Sequence, residues 1–453
     1  MAALAQTIQD TQAMGRTLIV GLGKTGLSCA RFLAARGIGF AVTDSRAEPP
    51  GLAALRAEFP DAPLYLGGFA EAAFAQAEQL VVSPGVSLRE PLIAAAMARG
   101  VEAIGDIELF ARHARAPVIA ITGANGKSTV TTLVGLMAEA AGRDVRVGGN
   151  IGTPALELIQ GREPDLYVLE LSSFQLETTH SLNAAAAVVL NVMPDHMDRY
   201  PGVEDYAAAK RRVYRGDGVM VLNADDPLVR AMAEPDRKQV FFSLGEPAPG
   251  HYGLRETAHG VWLARGDGCL LIVSELRIAG RHNAANALAA LALGEAVGLP
   301  MTAMLRALRE FEGLPHRTQW VAERDGIRWY DDSKGTNVGA TLAALQGMTG
   351  KVVLLAGGDG KGADFTPLRA ACAQKARAVV LIGRDAPLIE AALGGVVPVV
   401  RATDMDDAVA QARALARPGD SVLLSPACAS FDMFTGYEHR GRVFTEAVRR
   451  LLA

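Results

Sequence analysis

Three times along this chain a short β-branched run ends in a glycine-rich turn that opens directly into an alanine-rich stretch. The pairs are TLIVGLG before SCARFLAARG, PVIAITGANG before STVTTLVGLMAEAAG, and KVVLLAGGDG before LRAACAQKA. A strand that passes at once into a helix-period segment needs a crossover connection, so each restart predicts a parallel sheet with helices on its faces. The chain therefore reads as an α/β protein of three domains, divided near Asp106 and near Gly313 into residues 1–106, 107–313 and 314–453. With 453 residues, half of them hydrophobic, it has enough apolar surface for several cores.

Composition narrows the function. Lys and Arg total 45 against 49 Asp and Glu, for a net charge of -4, and the two signs are interspersed, which excludes a nucleic-acid surface and favours small-molecule substrates. Cys29, Cys269, Cys372 and Cys428 lie far apart with no CxxC pair, so neither a zinc site nor a disulfide framework is expected, and a reducing compartment fits. The N-terminal MAALAQTIQDTQAMGR lacks a basic start and a sustained apolar run, and no later segment approaches a membrane span. A cytoplasmic monomer is expected.

In the first unit Gly21, Gly23 and Gly26 of GLGKTG have the GxGxxG spacing between a strand and a helix, where glycine lets a phosphate approach backbone N–H groups. The strand FAVTD ends in Asp44, at the place of a ribose-binding acid, and Ser45 and Arg46 follow. A nicotinamide cofactor, another nucleotide and a purely structural turn all satisfy this pattern. The second unit opens with VIAITGANGKSTVTTL, a shortened phosphate loop in which Ile121 stands where the common pattern has glycine. Its mechanics are intact: backbone N–H groups cradle phosphates, Lys127 reaches the terminal ones, and Ser128 offers a hydroxyl to magnesium. Two further strands end in Glu170 and in Asp195 and His196, and strand ends of one sheet converge on a ligand, which makes Glu170 a magnesium candidate and His196 a second-site one. VEDYAAAKRRVYRG reads as a helix with Val203, Tyr206, Ala207, Val213 and Tyr214 on its apolar face, Lys210 among them, and Arg211 and Arg212 pointing away. Such a lysine either lays its stem along the core or loses its proton and reacts.

Taken in order, TGANGKST, GGNIGTP, LELSSFQLE, NVMPDHMDRY, GRHNAANALAA, PHRTQW, DDSKGTN, GGDGKGADF and LLSPACAS resemble the Mur ligases across all three units. LELSSFQLE, the DHMDRY run and DDSKGTN resemble the branch that adds glutamate. The resemblance implies a Rossmann-like first domain, a central P-loop ATPase-like domain and a Rossmann-like third domain. It implies an ATP-dependent ligase adding D-glutamate to UDP-N-acetylmuramoyl-L-alanine in peptidoglycan precursor synthesis, with L-glutamate as the alternative amino acid. A nucleotide-dependent oxidoreductase using the first loop and a nucleotide-switched binding module using the second are the rival readings.

By the same resemblance Gly23, Lys24, Thr25, Ser45, Arg46, Ser83, Gly85 and Asn150 hold the UDP substrate. Gly123, Asn125, Gly126, Lys127, Ser128, Thr129, Asn283, Asn286, Arg317, Asp332 and Lys334 hold ATP. Lys334, Thr336, Lys361, Ser430 and Tyr437 hold glutamate, while Ser128, Glu170, His196 and a carbamylated Lys210 serve two magnesium ions. Lys127, Glu170, His196 and Lys210 are the residues expected to carry catalysis. Three positions depart from the pattern: Pro194 stands where related sequences carry an acid, Phe431 where leucine is usual, and Tyr437 where phenylalanine is frequent.

Overall fold

The computed structural model of the protein describes residues 17–278 and 280–452. Residues 1–16, in which no leader is expected, lie outside the described residues. The apolar runs form three sheets, each with a loop cluster at the carboxyl ends of its strands.

The first sheet contains β1 (Thr17–Val20), β2 (Phe40–Asp44), β3 (Leu64–Leu66), β4 (Gln79–Val82) and β5 (Glu102–Ile104), all paired parallel in the order β3-β2-β1-β4-β5. The order reverses between β1 and β4, so the loops holding Gly21–Gly23 and Ser83–Gly85 face one crevice. A Cβ on Gly26 would fall 2.0 Å from the Gly21 carbonyl oxygen, so the third glycine of the motif lets the helix Lys24–Ala34 press onto the strand end.

The central sheet has nine strands: β6 (Val118–Thr122), β7 (Val145–Gly149), β8 (Leu166–Glu170), β9 (Ala186–Val189), β10 (Val219–Asn223), β11 (Gln239–Phe242), β12 (Tyr252–Thr257), β13 (Gly260–Arg265) and β14 (Gly268–Ile272). They run in the order β14-β13-β12-β11-β10-β9-β6-β8-β7, parallel as far as β12 and antiparallel beyond it. β6 lies between β8 and β9, so the phosphate loop that follows it opens beside the ends of both. The third sheet comprises β15 (Gln319–Arg324), β16 (Ile327–Asp331), β17 (Val352–Gly357), β18 (Ala376–Ile382), β19 (Val399–Arg401) and β20 (Ser421–Leu424). Its order is β15-β16-β20-β17-β18-β19, with only β15 antiparallel. Because β20 inserts between β16 and β17, the loops carrying DDSKGTN, SPACAS and GGDGKGADF sit side by side.

The domains join in two different ways. One apolar cluster runs without a break from Ile19 and Leu33 through Phe110 to Tyr167 and Tyr206, fusing the first domain to the central one, with the Phe110 and Tyr167 rings edge to face at 5.0 Å. The third domain keeps its own cores around Leu354 and Trp329 and meets the central domain through polar side chains.

The segment VEDYAAAKRRVYRG departs from its expected form. It is α-helical only over Val203–Arg211, and a tighter turn at Arg212–Tyr214 swings Val213 and Tyr214 inward. Arg211 faces solvent as expected, but that turn redirects Arg212, whose Nη2 donates to the Thr179 carbonyl at 3.0 Å.

Glu108, just past the boundary between the first two domains and only 1 % exposed, fastens the helix Asp106–Ala111 to the segment around His180. One carboxylate oxygen accepts the N–H groups of His180 (2.6 Å) and Ser181 (2.9 Å), and the other accepts the Ser181 hydroxyl (2.8 Å) and Arg112 Nε (2.8 Å). Burial alone would raise its pKa, but these donors together hold it down at about 2, against 4.5 ordinarily. The folded state thus binds fewer protons than the unfolded one across that interval, so the stabilisation is complete above the unfolded value and is lost as pH falls toward about 2. Glu108→Gln is expected to lower unfolding free energy at neutral pH by about 2 to 3 kcal/mol. Urea titrations should show that deficit shrinking in acid, and a deficit of constant size would contradict the assignment.

Candidate active site

All eight residues expected to hold the UDP substrate line one cavity of about 600 Å³ between the first and central domains: Gly23, Lys24, Thr25, Ser45, Arg46, Ser83, Gly85 and Asn150. Lys24 Nζ donates to the Gly152 carbonyl across the domain boundary at 2.6 Å. Asp44 lines the cavity but is only 2 % exposed, and its oxygens are engaged by the Leu22 N–H (2.7 Å), the Arg46 N–H (2.9 Å) and the Arg46 guanidinium. Burial opposes its ionised form, yet Arg46 and the two N–H groups outweigh it and bring the pKa down to about 2. Asp44 braces the loop rather than presenting a free carboxylate to a ribose.

The phosphate loop is shaped by residues the motif does not include. Asn191, beyond β9, accepts the Ala124 N–H on its carbonyl (2.9 Å) and the Asn125 N–H on Oδ1 (2.8 Å), and its own Nδ2 donates to the Asn125 carbonyl (3.1 Å). Gly126 caps the helix Lys127–Ala140 at φ +87°, and a Cβ there would lie 2.4 Å from Asn286 Oδ1, so glycine is required for both conformation and space. Beside this loop lies a cavity of about 280 Å³ lined by Asn125, Gly126, Thr129, Asn283, Asn286, Arg317, Asp332 and Lys334. Phe242, Leu244, Ile278 and His282 supply an apolar and aromatic wall. Gly123, Lys127 and Ser128 stand at its edge, outside the lining.

Two lysines converge on Gly123. Lys127 Nζ donates to the carbonyls of Gly123 and Ala124, both at 2.9 Å, and Lys210 Nζ donates to that same Gly123 oxygen at 2.9 Å. Lys210 is 1 % exposed and its ammonium lies 4.3 Å from the Tyr206 ring centroid. Burial first, and then the Lys127 charge, push its pKa well below that of an ordinary lysine. Glu170 ends β8 and is 3 % exposed; Oε1 accepts Asn150 Nδ2 at 2.7 Å, while Oε2 is buried with no partner among the described residues. His196, at φ +58°, has its pKa lowered by burial, and its neutral ring meets Phe174 edge-on at 4.9 Å. Among the described residues no three His, Cys, Asp or Glu side chains form a metal cage. The orphaned Glu170 oxygen suits a hard cation held by one carboxylate and by a ligand's phosphates.

The third domain reaches this junction with Arg317, whose Nη2 donates to Ser128 Oγ at 2.8 Å, and with Asn337, whose Nδ2 contacts Asn125 Oδ1 (3.2 Å) and Asp195 Oδ2 (3.1 Å). Asp332 accepts the Thr318 N–H (3.0 Å) and the Ser425 hydroxyl (2.7 Å), and burial raises its pKa to about 7. Lys334 lies 3.6 Å from the Tyr437 ring centroid, and burial lowers its pKa to about 8. The five glutamate candidates divide. Thr336 and Lys361 line a mainly apolar cavity of about 460 Å³ with His196; Lys334 lines the 280 Å³ cavity and pairs with Tyr437, which stands outside it; Ser430 is buried and stands outside both linings. Pro194 and Phe431 are exposed, the latter by 75 %.

Sequence reasoning missed Asn191 and Gln175. Both sit inside quoted motifs, but an amide carries no chemical signature until its partners are known. Gln175 lines the first cavity and donates to the buried Asp106 at 3.0 Å.

The described geometry has relatives. Models of the Mur ligase MurD-like N-terminal domain, the Mur ligase middle domain and the Mur ligase glutamate ligase domain match residues 15–105, 121–294 and 316–428. The chain is 61% identical to the UDP-N-acetylmuramoylalanine--D-glutamate ligase of Nitrosococcus oceani, over 98% of each chain. It is 56% identical to the protein of that name from Pseudomonas aeruginosa, over 96% of this chain and 98% of that one. A solved UDP-N-acetylmuramate-alanine ligase, MurC of Thermotoga maritima, shares the fold with a TM-score of 0.60 at 19% identity, over 96% of this chain and 99% of that one. Identity of that order along the whole length, with family models matching all three domains, means that this chain belongs to the Mur ligase family.

Proposed function

We propose that this chain is an ATP-dependent ligase that joins D-glutamate to UDP-N-acetylmuramoyl-L-alanine through an acyl phosphate, extending a peptidoglycan precursor. One observation carries the assignment to this site: Asn150 lines the cavity between the first two domains and donates to Glu170, which stands beside the phosphate loop. A substrate seated in the first cavity thus presents its free end where ATP presents its phosphates. We assign residues 1–106 to the UDP substrate, 107–313 to ATP and 314–453 to the amino acid.

Amide formation needs the acceptor carboxylate converted into a leaving group. Its oxygen attacks the terminal phosphorus of ATP, ADP departs, the neutral glutamate amine adds to the acyl phosphate, and the tetrahedral intermediate releases phosphate. Lys127 and the N–H groups of residues 123–129 hold the phosphates, and Arg317 brings a third-domain charge against Ser128. Asn283 and Asn286 receive the adenine, beside His282. Lys361, with Thr336, faces the His196 loop and suits one glutamate carboxylate, while Lys334, Ser430 and Tyr437 frame the other. Closure of the third domain excludes water from the acyl phosphate.

Ser128, Glu170, His196 and a carbamylated Lys210 would hold two magnesium ions, which neutralise charge on the transferring phosphoryl group. Lys210 has the properties carbamylation needs: its depressed pKa frees the amine, which adds to carbon dioxide with loss of one proton and becomes an anion. We place the reaction in the cytoplasm and the enzyme as a monomer. The free thiols of Cys29, Cys372 and Cys428, all buried, and of Cys269, exposed, suit a reducing compartment, and no described helix is long and apolar enough to cross a membrane.

Phosphate release that requires both D-glutamate and the UDP-linked acceptor tests the reaction. Equal turnover with L-glutamate would correct the stereochemistry, and acceptor-independent hydrolysis would overturn the ligase reading. Lys127→Ala and Glu170→Ala should each lower turnover about a hundredfold or more with the fold retained by circular dichroism. Near-normal rates would remove either residue from the mechanism. Lys361→Ala should raise the KM for glutamate more than that for ATP; a larger change for ATP would reassign it. Lys210→Ala should lose most activity and recover part of it with a short carboxylic acid, whereas Lys210→Arg should stay inactive because its charge is permanent. A fully active Lys210→Arg enzyme would return that lysine to a structural role.

A further inference from the structure

Arg199 has no part in the chemistry above, yet it spans the junction between two of the sites. In the turn after β9 the N–H groups of Arg199 and Tyr200 both donate to the His196 carbonyl, at 2.9 and 3.1 Å. From that turn the Arg199 side chain, 15% exposed, crosses into the first domain. Nη1 donates to the Pro84 carbonyl (3.3 Å) and Nη2 to the Val86 carbonyl (3.0 Å), the two residues that flank Gly85 in the loop lining the 600 Å³ cavity. Nη2 also faces Glu177 Oε2 at 3.4 Å, and Glu177 Oε1 accepts the Tyr200 hydroxyl at 2.5 Å. The guanidinium carbon stands 4.4 Å from the Phe174 ring centroid, and that ring also meets the His196 imidazole edge-on at 4.9 Å and stacks with the Tyr200 ring at 5.9 Å.

A covered guanidinium that directs two donors at neutral carbonyls of another domain does more than form an ion pair. Only a planar fork satisfies both carbonyls at once while stacking on a ring. Glycine at position 85 makes this stretch of backbone easy to distort, and the Ser83 hydroxyl ties it to Gly21 O at 2.8 Å, so its shape decides the shape of the cavity.

We infer that Arg199 is a positioning residue for the ligation: it fixes the Ser83–Val86 loop for the UDP part of the substrate and, through Phe174, steadies the His196 ring. One side chain thereby links occupancy of the distant cavity to order at the reacting end, the rigid connection that remote binding energy needs in order to assist the chemical step. The inference rests on the assignment of that cavity to the UDP moiety.

Arg199→Lys, Arg199→Gln, Glu177→Gln and the unaltered enzyme are compared in steady-state kinetics with each substrate varied in turn, and in calorimetric titrations with UDP-N-acetylmuramoyl-L-alanine. Both Arg199 variants should raise the KM and Kd for this acceptor about tenfold or more and lower kcat, while the KM for ATP changes by less than about twofold. Glu177→Gln keeps both carbonyl bonds and should stay within about threefold of the unaltered enzyme. Unchanged acceptor affinity in a folded Arg199 variant overturns the inference. Equal weakening toward all three substrates, with a lowered melting temperature, marks a general packing role and overturns it too. If the unaltered enzyme itself fails to bind the acceptor, the cavity assignment falls, and the inference falls with it.

Discussion

Two lysine Nζ groups share one carbonyl oxygen at the centre of this molecule. Lys127 and Lys210 both donate to Gly123 O, one from the phosphate loop and the other from a buried helix, and among the described residues neither finds a carboxylate within hydrogen-bond reach. So much positive charge in a covered site is tolerable only where anions arrive or a proton leaves. ATP phosphates would answer the first need under the proposed function. The depressed pKa of Lys210 reflects the second, and a carbamate there would reverse the sign of the charge. Glu170, with one buried oxygen engaged by Asn150 and the other without a partner among the described residues, would supply the fixed negative charge that a cation needs in such surroundings.

The distribution of apolar surface around that centre sets what moves. The first and central domains share a continuous core and are further tied by Arg199, so the cavity between them is largely pre-formed. Arg317 and Asn337 attach the third domain through hydrogen bonds whose groups water satisfies equally well when they part. Under the proposed function the third domain would admit an amino acid and then exclude water, a motion that polar contacts permit more readily than a common core does. The apolar lining of the cavity around Thr336 and Lys361 follows from this arrangement, because it lies where two separately folded surfaces approach each other.

Local chemistry made some features legible from the start. A strand, a glycine turn and a helix are encoded within about twenty residues, so the three sheets and the phosphate loop could be read directly. The eight residues expected around the UDP substrate do line one cavity, because β1 and β4 place their loops at one switch point. The helix carrying Lys210 was legible through its apolar face, whereas its end at Arg211 was not, since the periodicity continues through Val213 and Tyr214 while the backbone tightens. Asp44 was misleading for a related reason: its position suits a ribose, but Arg46 two residues on and the Leu22 N–H already claim its oxygens.

The sequence by itself determined which backbone segments fold into strand, loop and helix, and which side chains are candidates for phosphate, metal and carboxylate chemistry, because local structure and chemical type reside in residue identity and short spacing. Tertiary structure alone decided that Lys210 and Lys127 meet at Gly123, that Asn191 braces a loop 66 residues away, and that Arg199 grips the loop around Gly85. It alone decided protonation as well, since the pKa of Lys210, Asp332 or Lys334 depends on burial and on charges brought in from distant parts of the chain. The physical reason is common to all of these: desolvation and hydrogen-bond partnership belong to the packed surroundings of a group, which no stretch of sequence contains.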